Sequence, residues 1–68
     1  MLNIASERKR LGLTQEQLAE KIGVVESTVR AWENGVHDPS TTSLRLMSKL
    51  FCCSADYLLG ITEERLPH

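Results

Sequence analysis

The 68-residue chain carries a net charge of −1, is 41% hydrophobic and contains one Trp, one Tyr and one Phe. A chain of this length forms one domain and buries only about 60% of the surface that its unfolded form exposes, which excludes a deep enzyme cleft. The balanced charge also excludes nucleic-acid binding through a general basic excess, so any contact with phosphate must depend on where individual side chains are placed.

The two cysteines, Cys52 and Cys53, are adjacent, and neighbouring cysteines rarely reach disulfide geometry. Two thiols and two distant histidines do not make a four-ligand zinc site. We therefore expect two reduced cysteines, one of them in the core, and no metal, cofactor or small-molecule ligand. No apolar run approaches the roughly 20 residues of a membrane span, and no signal peptide is present, so we expect a soluble cytoplasmic protein.

Glycines and prolines separate five segments with helical apolar periodicity, which predicts an all-α fold without strands. We expect one domain over residues 1–60, followed by a short polar tail over residues 61–68. The expected helices cover roughly residues 2–11, 15–22, 26–34, 41–51 and 55–59, with a loop at 35–39 and Ser40 and Ser54 as caps of the last two helices.

Residues 14–35 predict two short helices joined by a tight turn. Thr14 and Gln17 form a capping-box pattern at the start of the first helix. Gly23 stands where the chain must leave this helix in a conformation that glycine adopts at little cost. This arrangement is typical of a helix-turn-helix, whose second helix fits a DNA major groove. The apolar positions of the two helices are Leu18, Ala19, Ile22, Val25, Val29 and Trp32.

Helix 4 carries apolar residues on two faces. Its expected core face contains Leu44, Met47, Ser48 and Phe51. Leu46 and Leu50 are expected together on the opposite face, where they form a candidate dimer surface with two residues of the tail. The alternative is that the tail covers them within one chain, or that they are simply exposed. The four dimer candidates are Leu46, Leu50, Ile61 and Leu66.

Several motifs at matching spacing resemble the Cro/C1-type (XRE-like) helix-turn-helix family of phage and bacterial repressors. The resemblance covers residues 1–60 and implies a compact five-helix, lambda-repressor-like domain. It also implies a homodimer on double-stranded DNA, with helix 3 in the major groove and helix 2 across the backbone. The motifs are Thr14-Gln15, Leu18-Ala19, Ile22-Gly23-Val24, Ser27-Thr28-Val29, Trp32-Glu33-Asn34-Gly35, Pro39-Ser40 and Asp56-Tyr57-Leu58-Leu59-Gly60.

The resemblance assigns roles to individual positions, and the helical geometry agrees for helix 3. With Val29 and Trp32 directed inward, the outer face carries the expected base-reading residues Glu26, Ser27, Arg30 and Ala31. The expected contacts to the DNA backbone come from Gln15, Thr28, Asn34, Arg10 and His37. Arg8 and Glu33 match an ion pair between helices 1 and 3, so we expect Arg8→Ala to be costly and Arg10→Ala to cost little.

The chain departs from the family pattern at three places. Val25 replaces the polar cap of helix 3, at a cost of about 1 kcal/mol. The loop Val36-His37-Asp38 lacks the usual basic residues, and His37 helps phosphate binding only when it is protonated. Cys52 stands where a glycine often ends helix 4, and Cys53 replaces a small apolar core residue.

These features predict a sequence-specific transcriptional regulator, most simply a repressor. The net charge of −1 and Glu26 on the reading edge leave a second reading open, a protein-interaction module such as an antirepressor or accessory subunit. The presence of Gln15, Arg30 and Asn34 together favours DNA binding. Catalysis is not expected, because no serine, histidine or cysteine lies at a spacing typical of a base and its nucleophile.

Overall fold

Five helices make up the part of the chain that the computed structural model describes, residues 3–62. This range measures 28 × 22 × 20 Å and contains no strand, which confirms the all-α expectation. Leu66, one of the expected dimer residues, lies outside it. The helices are α1 Ile4–Arg10, α2 Gln15–Ile22, α3 Glu26–Glu33, α4 Thr41–Phe51 and α5 Ala55–Leu58.

The helix boundaries follow local capping chemistry. Thr14 Oγ1 accepts from the backbone N–H of Gln17 at 3.1 Å, and the Gln17 side chain accepts from the Thr14 N–H at 2.9 Å, so the capping box is formed. Ser40 and Ser54 cap α4 and α5 as expected. Helices α1, α3 and α5 each end one residue earlier than expected, because the following residue is already a C-cap, and α1 begins only at Ile4, after its N-cap Asn3.

Left-handed backbone ends both α2 and α4. Gly23 has φ 85° and closes α2, so the tight turn into α3 uses the conformation that glycine adopts without strain. Cys52 has φ 55° at the end of α4, the position where a glycine was expected from the family pattern. Val25 precedes α3 without a side-chain cap, as expected.

The core lies between α2, α3 and α4, with α1 and α5 closing its sides. Asn3 joins the two outer helices, because its backbone N–H donates to the Leu58 carbonyl at 2.9 Å and its side chain donates to the Tyr57 carbonyl. None of the described helices is long and apolar enough to cross a membrane. The buried apolar residues are Ile4, Leu18, Ala19, Ile22, Val29, Trp32, Met47, Phe51, Cys53 and Leu58.

The expectation that Leu46 and Leu50 lie together on the exposed face of α4 is wrong for Leu50. Met47 and Phe51 are buried and Leu46 is 41% exposed, as expected. Leu50, however, is half-buried and packs against the core instead of sharing an open face with Leu46. The reason is angular: three residues of helix place Leu50 only about 60° from Met47, at the edge of the buried arc.

Candidate nucleic-acid interface

Helices α2 and α3 pack closely and present one side of α3 outward. Leu18 and Ile22 of α2 meet Val29 and Trp32 of α3 in the core. Because these apolar positions occupy the inner side of α3, its polar positions face solvent, as its alternation of buried and exposed residues shows. The pair therefore has the helix-turn-helix arrangement that the spacing predicts.

The outward side of α3 carries the four expected base-reading residues. Glu26, Ser27 and Arg30 are exposed, and Ala31 is half-buried. Arg30 Nη2 lies 3.3 Å from Glu26 Oε1, so the two opposite charges form an ion pair one helical turn apart. We call these four residues the reading face.

The inner side of α3 is fixed to α1 by the expected ion pair. Arg8 Nε donates to Glu33 Oε2 at 2.7 Å, and Arg8 Nη2 donates to Glu33 Oε1 at 3.1 Å. Arg8 Nη1 also donates to the Leu13 carbonyl at 2.9 Å. The two charged side chains are only 12% and 7% exposed, so the pair controls the angle at which α1 and α3 meet.

Burial and hydrogen bonding act in opposite directions on Glu33. Burial raises the pKa of its carboxyl group, whereas the hydrogen bonds from Arg8 and Gln15, together with the positive charges of Arg8 and Lys9, lower the pKa by more, so the net shift is downward. The hydrogen bond from Arg8 to Glu33 raises the pKa of the guanidinium. Both groups are therefore charged at neutral pH.

Gln15, at the start of α2, is held by the same carboxylate. Its Nε2 donates to Glu33 Oε1 at 3.1 Å. An ionised carboxylate only accepts, so this bond fixes which end of the amide faces Glu33. The second N–H of Nε2 remains available, and Gln15 is only half-buried. The amide can therefore donate to an anion while it is still braced against α3.

The expected backbone-contacting residues lie on either side of the reading face. Thr28 is half-buried, whereas Asn34 and His37 are exposed. Thr28 and His37 share the rim of an open depression of about 630 Å³ with part of the reading face and with the start of α4. Its lining residues are Val24, Ser27, Thr28, Ala31, Trp32, His37, Asp38, Ser40 and Ser43.

A family model described as Helix-turn-helix matches residues 4–58, most of the chain and every helix of the fold. The chain belongs to the Cro/C1-type helix-turn-helix family. It is 40% identical over 60 residues to the uncharacterized HTH-type transcriptional regulator YobD of Bacillus subtilis, 88% of this chain and 54% of that one.

Two further relatives extend the comparison. The HTH-type transcriptional regulator ImmR of Bacillus subtilis is 38% identical over 56 residues, 82% of this chain and 44% of its own length. Repressor protein C2 of Salmonella phage P22 is 36% identical over 56 residues, 82% of this chain and 26% of its own length. The chain thus spans about half, or less, of the length of these curated relatives.

Arg10 has partners that the family pattern did not indicate. Its Nε donates to Glu7 Oε1 at 3.0 Å, and its Nη2 donates to the Phe51 carbonyl at 3.0 Å, where α4 ends. Glu7 is 3% exposed. Arg10 therefore joins α1 to α4, and the expectation that Arg10→Ala costs little needs correction, because the change removes contacts to a buried carboxylate and a helix end. The three-residue spacing of Glu7 and Arg10 on one helix is compatible with an ion pair, whereas no sequence signal indicates the bond from Arg10 to the distant Phe51 carbonyl.

The remaining candidate residues belong to α4 or follow α4 and α5 in the chain. Leu46 on α4 and Ile61 after α5 are 41% and 70% exposed. Cys53 is buried, as expected for one of the two cysteines, Cys52 is exposed, and neither is in a disulfide. Within residues 3–62, no three His, Cys, Asp or Glu side chains cluster as a metal site requires.

Proposed function

We propose that the chain is a sequence-specific DNA-binding transcriptional regulator that binds a two-fold operator as a homodimer, most simply as a repressor that occupies promoter DNA. One observation carries the proposal: α3 exposes a polar face while partly buried hydrogen bonds from Arg8 and Gln15 to Glu33 hold the opposite side of the helix. A rigid helix with open polar side chains can dock in a major groove without reordering.

The reading face supplies chemistry for base edges. Arg30 binds guanine O6 and N7 through two N–H groups, a contact worth about 1–3 kcal/mol of discrimination. Glu26 accepts from cytosine N4, Ser27 bonds to a base or a phosphate, and Ala31 packs on a thymine methyl. All four belong to α3, so they approach adjacent base pairs together.

The flanking residues supply contacts to phosphate. The second N–H of the Gln15 amide donates to one backbone strand, and the exposed side chain of Asn34 donates beyond the end of α3. Thr28 and His37 lie on the rim of the depression beside the reading face and reach phosphates there. Arg10 contributes in a different way, because its bonds to Glu7 and Phe51 hold α1 against α4 while its side chain stays 47% exposed.

A dimer compensates for the balanced charge of one subunit. With a net charge of −1, each subunit neutralises few phosphates, so its own affinity is modest. Two linked reading faces raise the affinity through effective concentration. The exposed Leu46 and Ile61 supply apolar contact area, with Leu50 at its buried edge. The two half-sites then lie about 34–36 Å apart, or a multiple of that distance.

The test is selection of bound duplexes from a random pool at low salt, followed by salt titration of the selected site. We expect a two-fold symmetric site. Arg30→Ala should relax the preference at one base pair of each half-site, whereas Gln15→Ala should weaken binding to all sequences alike. Lys49→Ala, an exposed charge on α4, is the control. A pool without an enriched site would refute DNA recognition and favour the interaction-module reading.

The dimer surface is tested separately by hydrodynamic mass. Leu46→Glu combined with Ile61→Glu places charges on two exposed positions and should convert the dimer to a folded monomer. Leu50→Glu is unsuitable, because Leu50 packs against the core and its replacement would destabilise the fold as well as any interface. A double variant that remains dimeric would move the interface elsewhere.

A further inference from the structure

The ion pair on the reading face differs from the other two ion pairs seen within residues 3–62. In those two pairs the carboxylate is buried, with Glu33 and Glu7 side chains only 7% and 4% exposed. In the pair of Arg30 with Glu26, the side chains are 52% and 45% exposed. Both residues belong to α3, so the pair does not hold two helices together. Any effect that it has must concern a molecule that contacts this exposed face.

The contact leaves most of the donors of Arg30 available. It joins Nη2 to Oε1 at 3.3 Å, and a guanidinium has five N–H groups in a planar fork. Two of the remaining donors are enough for guanine O6 and N7. The orientation of the fork is restricted, however, because rotating the guanidinium away from Glu26 would break the contact between Nη2 and the carboxylate.

The surroundings of the pair change when DNA is present. In water an exposed pair one turn apart changes populations by only about twofold. Between the walls of a major groove water is displaced, and the attraction between the two charges becomes stronger. The same carboxylate repels phosphates, so it opposes the contacts that carry no sequence information.

We propose that Glu26 is a positioning residue for Arg30: it holds the guanidinium on the guanine edge and away from the phosphates. This inference rests on the proposed function, because it concerns how the same face discriminates between sequences. Glu26 thereby lowers binding to nonspecific DNA and raises the preference for guanine at the base pair that Arg30 reads.

A double-mutant cycle tests the coupling. The variants are Glu26→Gln, Arg30→Met and the double variant, with Glu20→Gln as the control because it removes the same charge from an exposed position on α2. Binding is measured against the selected site and against sites with each base pair replaced in turn. A melting curve for each variant verifies folding.

We expect Arg30→Met to lose about 5- to 150-fold of the preference at one base pair, the range of a bidentate guanine contact. Glu26→Gln should lose about 3- to 10-fold at the same base pair, bind nonspecific DNA more tightly, and have no further effect on this preference when Arg30 is already Met. Glu20→Gln should leave the preference unchanged.

Two results would overturn the inference. An effect of Glu26→Gln that is confined to a different base pair and additive with Arg30→Met would show that Glu26 only reads a base and does not position Arg30. If Glu26→Gln changes the affinity for all sequences equally and by the same factor as Glu20→Gln, then Glu26 acts only through the net charge of the chain. Failure of the unaltered chain to select any site would instead refute the proposed function, so the two failures are distinguishable.

Discussion

Replacing Arg8 by alanine removes the bonds that fix the inner side of α3. The change deletes two hydrogen bonds to the Glu33 carboxylate, at 2.7 and 3.1 Å, and one to the Leu13 carbonyl at 2.9 Å. Glu33 remains charged and buried, with the Gln15 amide as its remaining donor among these bonds. Leaving a buried charge without its counter-charge costs about 3–5 kcal/mol.

That cost is large for a chain of this size. Domains of this length have a total stability of about 3–10 kcal/mol, and each kcal/mol changes the melting temperature by about 4–8 °C. We therefore expect Arg8→Ala to lower the melting temperature by about 12–40 °C, or to leave the chain unfolded. Thermal and urea unfolding followed by circular dichroism measure the change directly.

Three companion variants sharpen the test. Lys21→Ala removes a positive charge from an exposed position of α2 and should change the stability by less than about 0.5 kcal/mol. Arg10→Ala should cost about 1–3 kcal/mol, because it removes donors from the buried Glu7 and from the Phe51 carbonyl. Arg8→Met combined with Glu33→Met should cost far less than the sum of its two single changes, because no buried charge is left behind.

The reasoning is refuted by either of two outcomes. The free energies of unfolding of Arg8→Ala and Lys21→Ala could differ by less than about 1 kcal/mol, which would mean that water solvates the Glu33 carboxylate once Arg8 is removed. The Met double variant could instead equal the sum of the single variants, which would mean that the two side chains do not interact.

Three further predictions concern acidity, capping and backbone strain. Because the pKa of Glu33 is lowered in the folded state, its contribution to stability is complete above the ordinary glutamate value of 4.5 and is lost as the pH falls through the folded-state value. Glu33→Gln should therefore reduce the loss of unfolding free energy that urea titrations measure between neutral and acidic pH. Val25→Ser should raise the free energy of unfolding by about 1 kcal/mol by supplying the missing cap of α3, and an unchanged urea midpoint would contradict this. Cys52→Gly should add about 0.5–1 kcal/mol, because glycine adopts φ 55° without strain, whereas Cys52→Ala should add nothing in the same unfolding assay.

The parts of the fold that depend on neighbouring residues could be predicted from the sequence. The capping box of Thr14 with Gln17 and the left-handed Gly23 each involve residues a few positions apart, so their spacing is visible in the chain. The bounds of α2 and α4 follow from the same kind of signal. The pair of Arg8 with Glu33 joins residues 25 positions apart, and it was expected because of the resemblance to the family.

The contacts that escaped prediction connect distant parts of the chain. The bond from Arg10 to the Phe51 carbonyl spans 41 positions, and the bond from Asn3 to the Tyr57 carbonyl spans 54. Such bonds end on backbone carbonyls, which every residue carries, so no residue type marks them in advance. The half-burial of Leu50 was missed for a different reason, since the width of the buried arc of α4 depends on how closely its neighbours approach.

The division of α3 into a buried side and an open side has a consequence for how such chains diverge. Glu26, Ser27, Arg30 and Ala31 lie outside the core, so replacing them changes stability by only about 0.5 kcal/mol in either direction. If these residues read DNA as proposed, duplicated genes can acquire new targets through one or two substitutions at these positions, with no compensating change in the scaffold. Substitutions at Arg8, Gln15 or Glu33 are less readily tolerated, because these residues hold α3 in place whichever sequence it binds.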